Sequence, residues 1–175
     1  IGFSRAELEV EKIGKSTVII SELKNPAVFD FIINNKGESE RIEIYSLVSV
    51  SMTPKGRFSI DSGKNKVEVM AYPSDSIRER SGFFNFEYQV KGAESGILKD
   101  NLMIKIVKLK DLIVIEPSPL HPLNGEAEMV VRNLENINLE NITLNLDSLF
   151  FSDEVKASLK PYEKLPIRIK IDKET

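Results

Sequence analysis

The sequence predicts an all-β protein built as two antiparallel β-sandwiches in tandem, the second shorter than the first. Three observations carry this. The apolar set holds 20 Ile and 13 Val but only 6 Ala; β-branched side chains suit a pleated surface, whereas Ala favours helix. Apolar and polar residues alternate in segment after segment, which is the period of a half-buried strand. Turn-forming clusters recur about every 8–15 residues, the spacing of a two-sheet sandwich.

In chain order, Ala6, Leu8 and Val10 alternate with Glu7, Glu9 and Glu11, and Thr17–Leu23 carries Val18, Ile19 and Ile20. Ala27, Phe29, Phe31 and Ile33 share one face of the next strand, which "NNKGES" (Asn34–Ser39) breaks with turn residues. Arg41–Val50 resumes with Ile42 and Ile44 and reads as continuously apolar through Leu47 and Val48. "TPKG" (Thr53–Gly56) is a turn, Arg57–Ile60 a short strand, and "DSGKN" (Asp61–Asn65) another turn. Val67, Val69 and Ala71 alternate with charged or larger neighbours up to Pro73. "YPSDSIRERSG" (Tyr72–Gly82) is the best candidate for a short helical turn or long loop. Phe84, Phe86, Tyr88 and Val90 form a further strand, "GAESG" (Gly92–Gly96) a tight connection, and Leu102, Ile104, Ile106 and Leu109 the last strand of this cycle.

A second cycle starts near Lys110. Leu112 and Val114 lead into Pro117, Pro119 and Pro122, which imply a loop or an edge strand because proline cannot donate to a ladder. Strands follow at Ala127–Val131, Ile142–Leu146, Val155–Leu159 and Leu165–Ile171. The two cycles match at an offset of about 100 residues. "AVFDFIINNKG" from Ala27 parallels "AEMVVRNLEN" from Ala127, "RIEIYSL" from Arg41 parallels "NITLNLDSL" from Asn141, and the stretch from Phe58 parallels that from Ala157. The expected domains are residues 1–109 and 110–175. The second lacks counterparts of the last two strands of the first. That predicts a reduced sandwich or a polypeptide that continues past Thr175. A start at Ile1 likewise reads as a processed or excised chain, with any signal peptide or anchor outside it.

Here a resemblance enters. "IINNKG" (Ile32–Gly37), "IDSGKNKVEVMAYP" (Ile60–Pro73), "LKPYEKLPIRI" (Leu159–Ile169) and the aromatic strand "GFFNFEYQV" (Gly82–Val90) resemble adhesion-type immunoglobulin-like modules. These are the cell-adhesion-related (CARDB-like) domains of archaeal and bacterial surface proteins. Phe stands where that family more often has Tyr in the aromatic strand. The resemblance implies immunoglobulin-like sandwiches and an extracellular or cell-surface setting.

Composition excludes much chemistry. The absence of Cys removes disulfides, thiolate metal sites and thiol nucleophiles. The single His, His121 in "PLHPL", reads as a loop residue, and no GxSxG stands beside it. Net charge is -3, with no basic stripe for nucleic acid. No apolar run approaches the roughly 20 residues of a membrane-spanning helix. Asp61, Asp147, Asp153 and Glu154 sit in turns that could offer oxygen ligands to calcium, but without an EF-hand pattern they read as solvated carboxylates. Phe83, Phe84, Phe86 and Tyr88 read as core rather than as a ligand platform. "RERSG" (Arg78–Gly82) is a local basic patch. Asn141-Ile142-Thr143 matches the Asn-x-Thr glycosylation pattern, making Asn141 the one modification candidate.

The expected function is a non-catalytic spacer or protein-binding module of a cell-surface or secreted protein, with no cofactor and no metal. Its partners would be proteins or other domains of the same polypeptide. Two rivals are an accessory carbohydrate-binding module of a secreted hydrolase and an intracellular scaffold.

Overall fold

The computed structural model describes residues 7–117, 125–148 and 151–171. The chain forms two compact units, Ile1–Lys108 and Leu109–Thr175. Both are immunoglobulin-like all-β sandwiches, and each is described by itself.

The first unit contains β1 (Leu8–Ser16), β2 (Val18–Ile20), β3 (Ala27–Asn35), β4 (Glu40–Tyr45), β5 (Val50–Thr53), β6 (Arg57–Ile60), β7 (Gly63–Pro73), a helical turn α1 (Asp75–Arg78), β8 (Gly82–Gly92) and β9 (Gly96–Val107). One sheet has the order β1-β3-β7-β5 and the other β2-β9-β8-β4-β6. Side chains alternate between faces along a strand, so each sheet turns one apolar face inward. Ala27, Phe29, Phe31 and Ile33 of β3 all lie in the core, as their spacing predicts. They meet Phe86, Tyr88 and Val90 from the opposite sheet. At the centre, Phe31 and Tyr88 are fully buried with ring centroids 4.9 Å apart.

All pairings are antiparallel except one. β1 pairs with β3, and then the chain crosses to the other sheet, where β2 runs parallel to β9. The crossing is fastened on both sides of β2. The Thr17 carbonyl accepts from the Lys105 N–H at 2.9 Å, and the Ser21 N–H donates to the Val107 carbonyl at 2.8 Å. Gly14 permits it, because a Cβ there would lie 2.7 Å from Thr17 Cγ2. The sequence offered Val18, Ile19 and Ile20 within Thr17–Leu23, and an apolar triplet does not say which sheet a strand joins.

Buried polar groups hold the connections. Arg78 is only 5% exposed. Its guanidinium donates to the carbonyls of Pro73 (3.1 Å), Leu23 (2.6 Å) and Asn25 (2.9 Å), tying α1 to the loop after β2. This corrects the reading of Arg78–Gly82 as a basic surface patch: its first arginine is committed to backbone inside the fold. Glu40 is buried, and one carboxylate oxygen accepts the N–H groups of Glu94 (2.9 Å) and Ser95 (3.3 Å) in the β8–β9 turn. The apolar run through Leu47 and Val48 is also corrected. It lies between β4 and β5, and Leu47 is 75% exposed.

The second unit contains a helical turn α2 (Leu109–Leu112), β10 (Ile113–Pro117), β11 (Glu126–Asn133), β12 (Leu139–Asp147), β13 (Ser152–Leu159) and β14 (Lys164–Lys170). Its sheets are β10-β11-β14 and β12-β13. Leu112, read with Val114 as leading into a loop or an edge strand, closes α2 and is fully buried. Pro117 falls on an edge strand, as its missing N–H requires. Pro119, His121 and Pro122 lie outside the described residues.

The order β10-β11-β14 repeats β1-β3-β7, and the β12–β13 pair repeats β4–β6. A shared asparagine fixes the correspondence. In the first unit the buried Asn35 donates to the carbonyls of Glu38 and Asp61 and accepts from the Gly37 N–H. In the second the buried Asn133 donates to the carbonyls of Ile137 and Lys160 and accepts from the Glu135 N–H. Asn133 therefore matches Asn35, two residues from the sequence alignment that set Ala127 on Ala27. A shift of two keeps every side chain on its face, so periodicity could not reveal it.

Truncating Phe31 to Ala should lower the first unit's unfolding free energy by about 3–5 kcal/mol, through lost transfer energy plus a cavity. Arg78→Met should cost about 2–4 kcal/mol, because one buried and two partly buried carbonyls lose their donor. Urea denaturation followed by circular dichroism measures both. A loss under about 1 kcal/mol for either would remove the role assigned to it here.

Candidate functional site

The second unit presents an incomplete edge. β12 is a strand because Ile142, Leu144 and Leu146 alternate with Thr143 and Asn145. Near its start the register with β13 shifts between Leu139 and Ile142. Asn141 sits in that bulge with φ +53°, a left-handed conformation that Asn tolerates better than most side chains. The Asn141 N–H donates to Ser158 Oγ at 3.1 Å.

Among the described residues β12 pairs only with β13. Its counterpart β4 is paired on both sides, with β6 on one edge and β8 on the other. The difference shows in burial. Ile42 and Ile44 of β4 are 0% and 2% exposed, while Ile142 and Leu144 are only half-buried. Val155 and Ala157 of β13 are half-buried too. The site is therefore a free row of backbone donors and acceptors beside a partly covered apolar face. That combination suits strand addition.

The residues singled out by sequence do not converge. Asn141 is exposed and lines a shallow open depression with Thr143, Lys156, Ala157 and Ser158. Asp147 accepts from Ser152 Oγ at 2.6 Å, and Asp153 accepts the Glu154 N–H at 2.8 Å. Asp61 uses its backbone carbonyl to accept from Asn35 and Asn65. Among the described residues no group of three or more His, Cys, Asp or Glu side chains could hold a metal ion. The aromatic strand divides: Phe86 and Tyr88 are buried, Phe84 is half-buried against the core, and Phe83 is 72% exposed with Lys105 Nζ over its ring at 5.8 Å. One exposed ring does not make a stacking platform. No helix among the described residues is long and apolar enough to cross a membrane.

The shifted carboxylates belong to structural ion pairs. On the outer face of the four-stranded sheet, Asp30 stands opposite Glu68. Lys66 reaches Asp30 at 2.9 Å, and Lys15 bridges Asp30 at 3.7 Å and Glu68 at 2.6 Å. The hydrogen bond from Lys66, with help from Lys15, holds the Asp30 carboxyl below its ordinary range. Lys12 does the same for Asp100, and Lys36 for Glu9. Burial pushes the Tyr88 hydroxyl well up.

Sequence reading missed Asn35, Asn133, Glu40 and Arg78 as the buried polar groups that shape the loops. One signal was present: an asparagine closes the matching strand in each cycle.

No protein-family model matches the chain, and neither does any curated protein. Solved structures do. The Escherichia coli chaperone DraB is 8% identical, with 95% of this chain and 88% of that one covered and a TM-score of 0.43. The YadV chaperone is 12% identical, with 95% and 86% covered and a TM-score of 0.38. A protein of unknown function from Porphyromonas gingivalis W83 is 16% identical, with 94% and 83% covered and a TM-score of 0.38. At these values no activity or partner is carried over. The immunoglobulin-like sandwich stands on the sheet topology; the narrower cell-adhesion-related assignment has no family model behind it.

Acid should destabilise the first unit. A carboxyl depressed by folding contributes stability above its unfolded value, and that contribution is lost as pH falls through the folded value. Asp30, Asp100 and Glu9 are all depressed. Melting temperature should therefore hold from neutral pH down to the ordinary carboxylate range, then fall below it. Asp30→Asn should flatten part of that fall, and an unchanged acid limb in the variant would contradict the assignment.

Proposed function

We propose that the chain is a non-catalytic structural and protein-binding module, and that residues 1–109 and 110–175 are its two domains. The observation that carries the reading is the contrast between the two units. The first closes its apolar interior with nine strands and commits the buried Asn35, Glu40 and Arg78 to its own backbone. The second leaves a strand edge free over half-buried Ile142 and Leu144. Such an edge recognises polypeptide by main-chain hydrogen bonds and alternate side chains. The resemblance of "IINNKG" and "IDSGKNKVEVMAYP" to modules of surface proteins supports a cell-surface or secreted setting. In that setting the exposed Asn141 is the candidate glycosylation site.

Panning a displayed random-peptide library on the full chain should enrich extended sequences with alternating apolar residues. Leu144→Asp should abolish the enrichment, while Phe83→Asp should leave it. Turnover in a broad hydrolase screen would overturn the non-catalytic reading. Reproducible retention on a glycan array, lost in Phe83→Asp, would move the assignment to a carbohydrate-binding accessory module.

A further inference from the structure

We propose that the free edge of β12 receives an antiparallel β-strand from a partner protein, apolar at alternate positions and carrying basic side chains at the ends of the paired segment. This rests on the protein-binding reading above and names the partner's chemistry.

The repeat supplies the first argument. The pairs Glu40↔Ile60 and Ile42↔Phe58 of β4–β6 recur as Leu139↔Leu159 and Ile142↔Ala157 of β12–β13. In the first unit the other edge of β4 is covered by β8, with Ile44 opposite Val90 and Tyr45 opposite Gln89. Among the described residues, the same plan in the second unit leaves that place open.

The other edges of the second unit are guarded, independently of the repeat. Proline, charge and short length discourage edge pairing. β10 carries Pro117 and β14 carries Pro166, so each outer strand of the three-stranded sheet lacks a donor. β13 carries Asp153, Glu154 and Lys156. Between Asn141 and Leu146, β12 has neither proline nor charge.

The occupant's chemistry follows from charge. All fourteen strands of the described residues already have places in the four sheets. The group that seats the first unit's own hairpin is Glu40, whose carboxylate accepts the N–H groups of the β8–β9 turn, and its counterpart is the apolar Leu139. A second copy fits poorly. Glu140 and Asp147 flank the uncharged segment, and antiparallel self-pairing centred on it sets acid against acid. The same two carboxylates favour a partner strand with basic ends.

The test uses the full chain and a synthetic peptide of Gly82–Gly92, the strand that covers β4, with Glu87→Lys to place a cation beside Asp147. The peptide should slow exchange of the Ile142–Leu146 amides by about tenfold, and the unsubstituted peptide should do so less. Because the chain has no cysteine, Asn145→Cys supplies a single thiol. It should cross-link to a peptide carrying Gln89→Cys and not to one carrying Phe84→Cys. Thr143→Pro should abolish protection while the far-ultraviolet spectrum is kept. Should that variant unfold, exchange and cross-linking decide alone. Absence of both protection and register-specific cross-linking overturns the proposal. So does an edge already protected in the free chain, whether by self-association or by another segment of its own polypeptide. Either failure leaves the non-catalytic reading standing; turnover would remove that reading whatever β12 does.

Discussion

Everything in the first unit depends on covering one apolar layer from both sides. Phe31 of β3 and Tyr88 of β8 meet at its centre, and both are fully buried. A single sheet cannot bury such residues, because its second face is all it has to offer water. The chain must therefore deliver strands alternately to two sheets, and each delivery exposes backbone at a corner. The polar groups that sequence reading overlooked serve those corners and the β8–β9 hairpin turn within one sheet. Arg78 meets the carbonyls beyond β2, Glu40 meets the amides of the β8–β9 turn, and Asn35 organises the loop between β3 and β4. Each is buried because it replaces water at backbone groups that water no longer reaches.

The second unit applies the same rule with fewer strands. Asn133 repeats the hydrogen bonds of Asn35, and β10, β11 and β14 repeat β1, β3 and β7. Five strands cannot cover both sides of the layer equally. Val131, Leu159 and Ile169 are buried, while Ile142, Leu144 and Val155 are half-covered. Incomplete closure and a free edge are one feature, since the strand that would pair with β12 would also cover its inner face.

The charges are arranged for the surface of a β-protein. Asp30 and Glu68 stand opposite each other across β3 and β7, a repulsive placement, and Lys15 and Lys66 neutralise it. Among the described residues these charges pair across strands rather than converging on a cleft, and their titration bears on stability.

The sequence by itself determined the all-β class, the repeat and most strand positions, because a period of two is written directly into residues such as Ala27, Phe29, Phe31 and Ile33. It also gave the second cycle fewer strand candidates within the given residues. Tertiary structure decided which sheet each strand joins. β2 leaves the sheet of β1, and Leu47–Val48 is a loop despite its apolar content, because pairing depends on distant partners such as β9. Only the fold revealed the two-residue shift that sets Asn133 on Asn35, since either register puts the same faces inward. The candidate site was foreshadowed where the second cycle, as far as the given sequence runs, shows no counterpart of β8 and β9. Its place was not: an unpaired edge belongs to the neighbour a strand lacks, and β12 itself carries no residue that announces it.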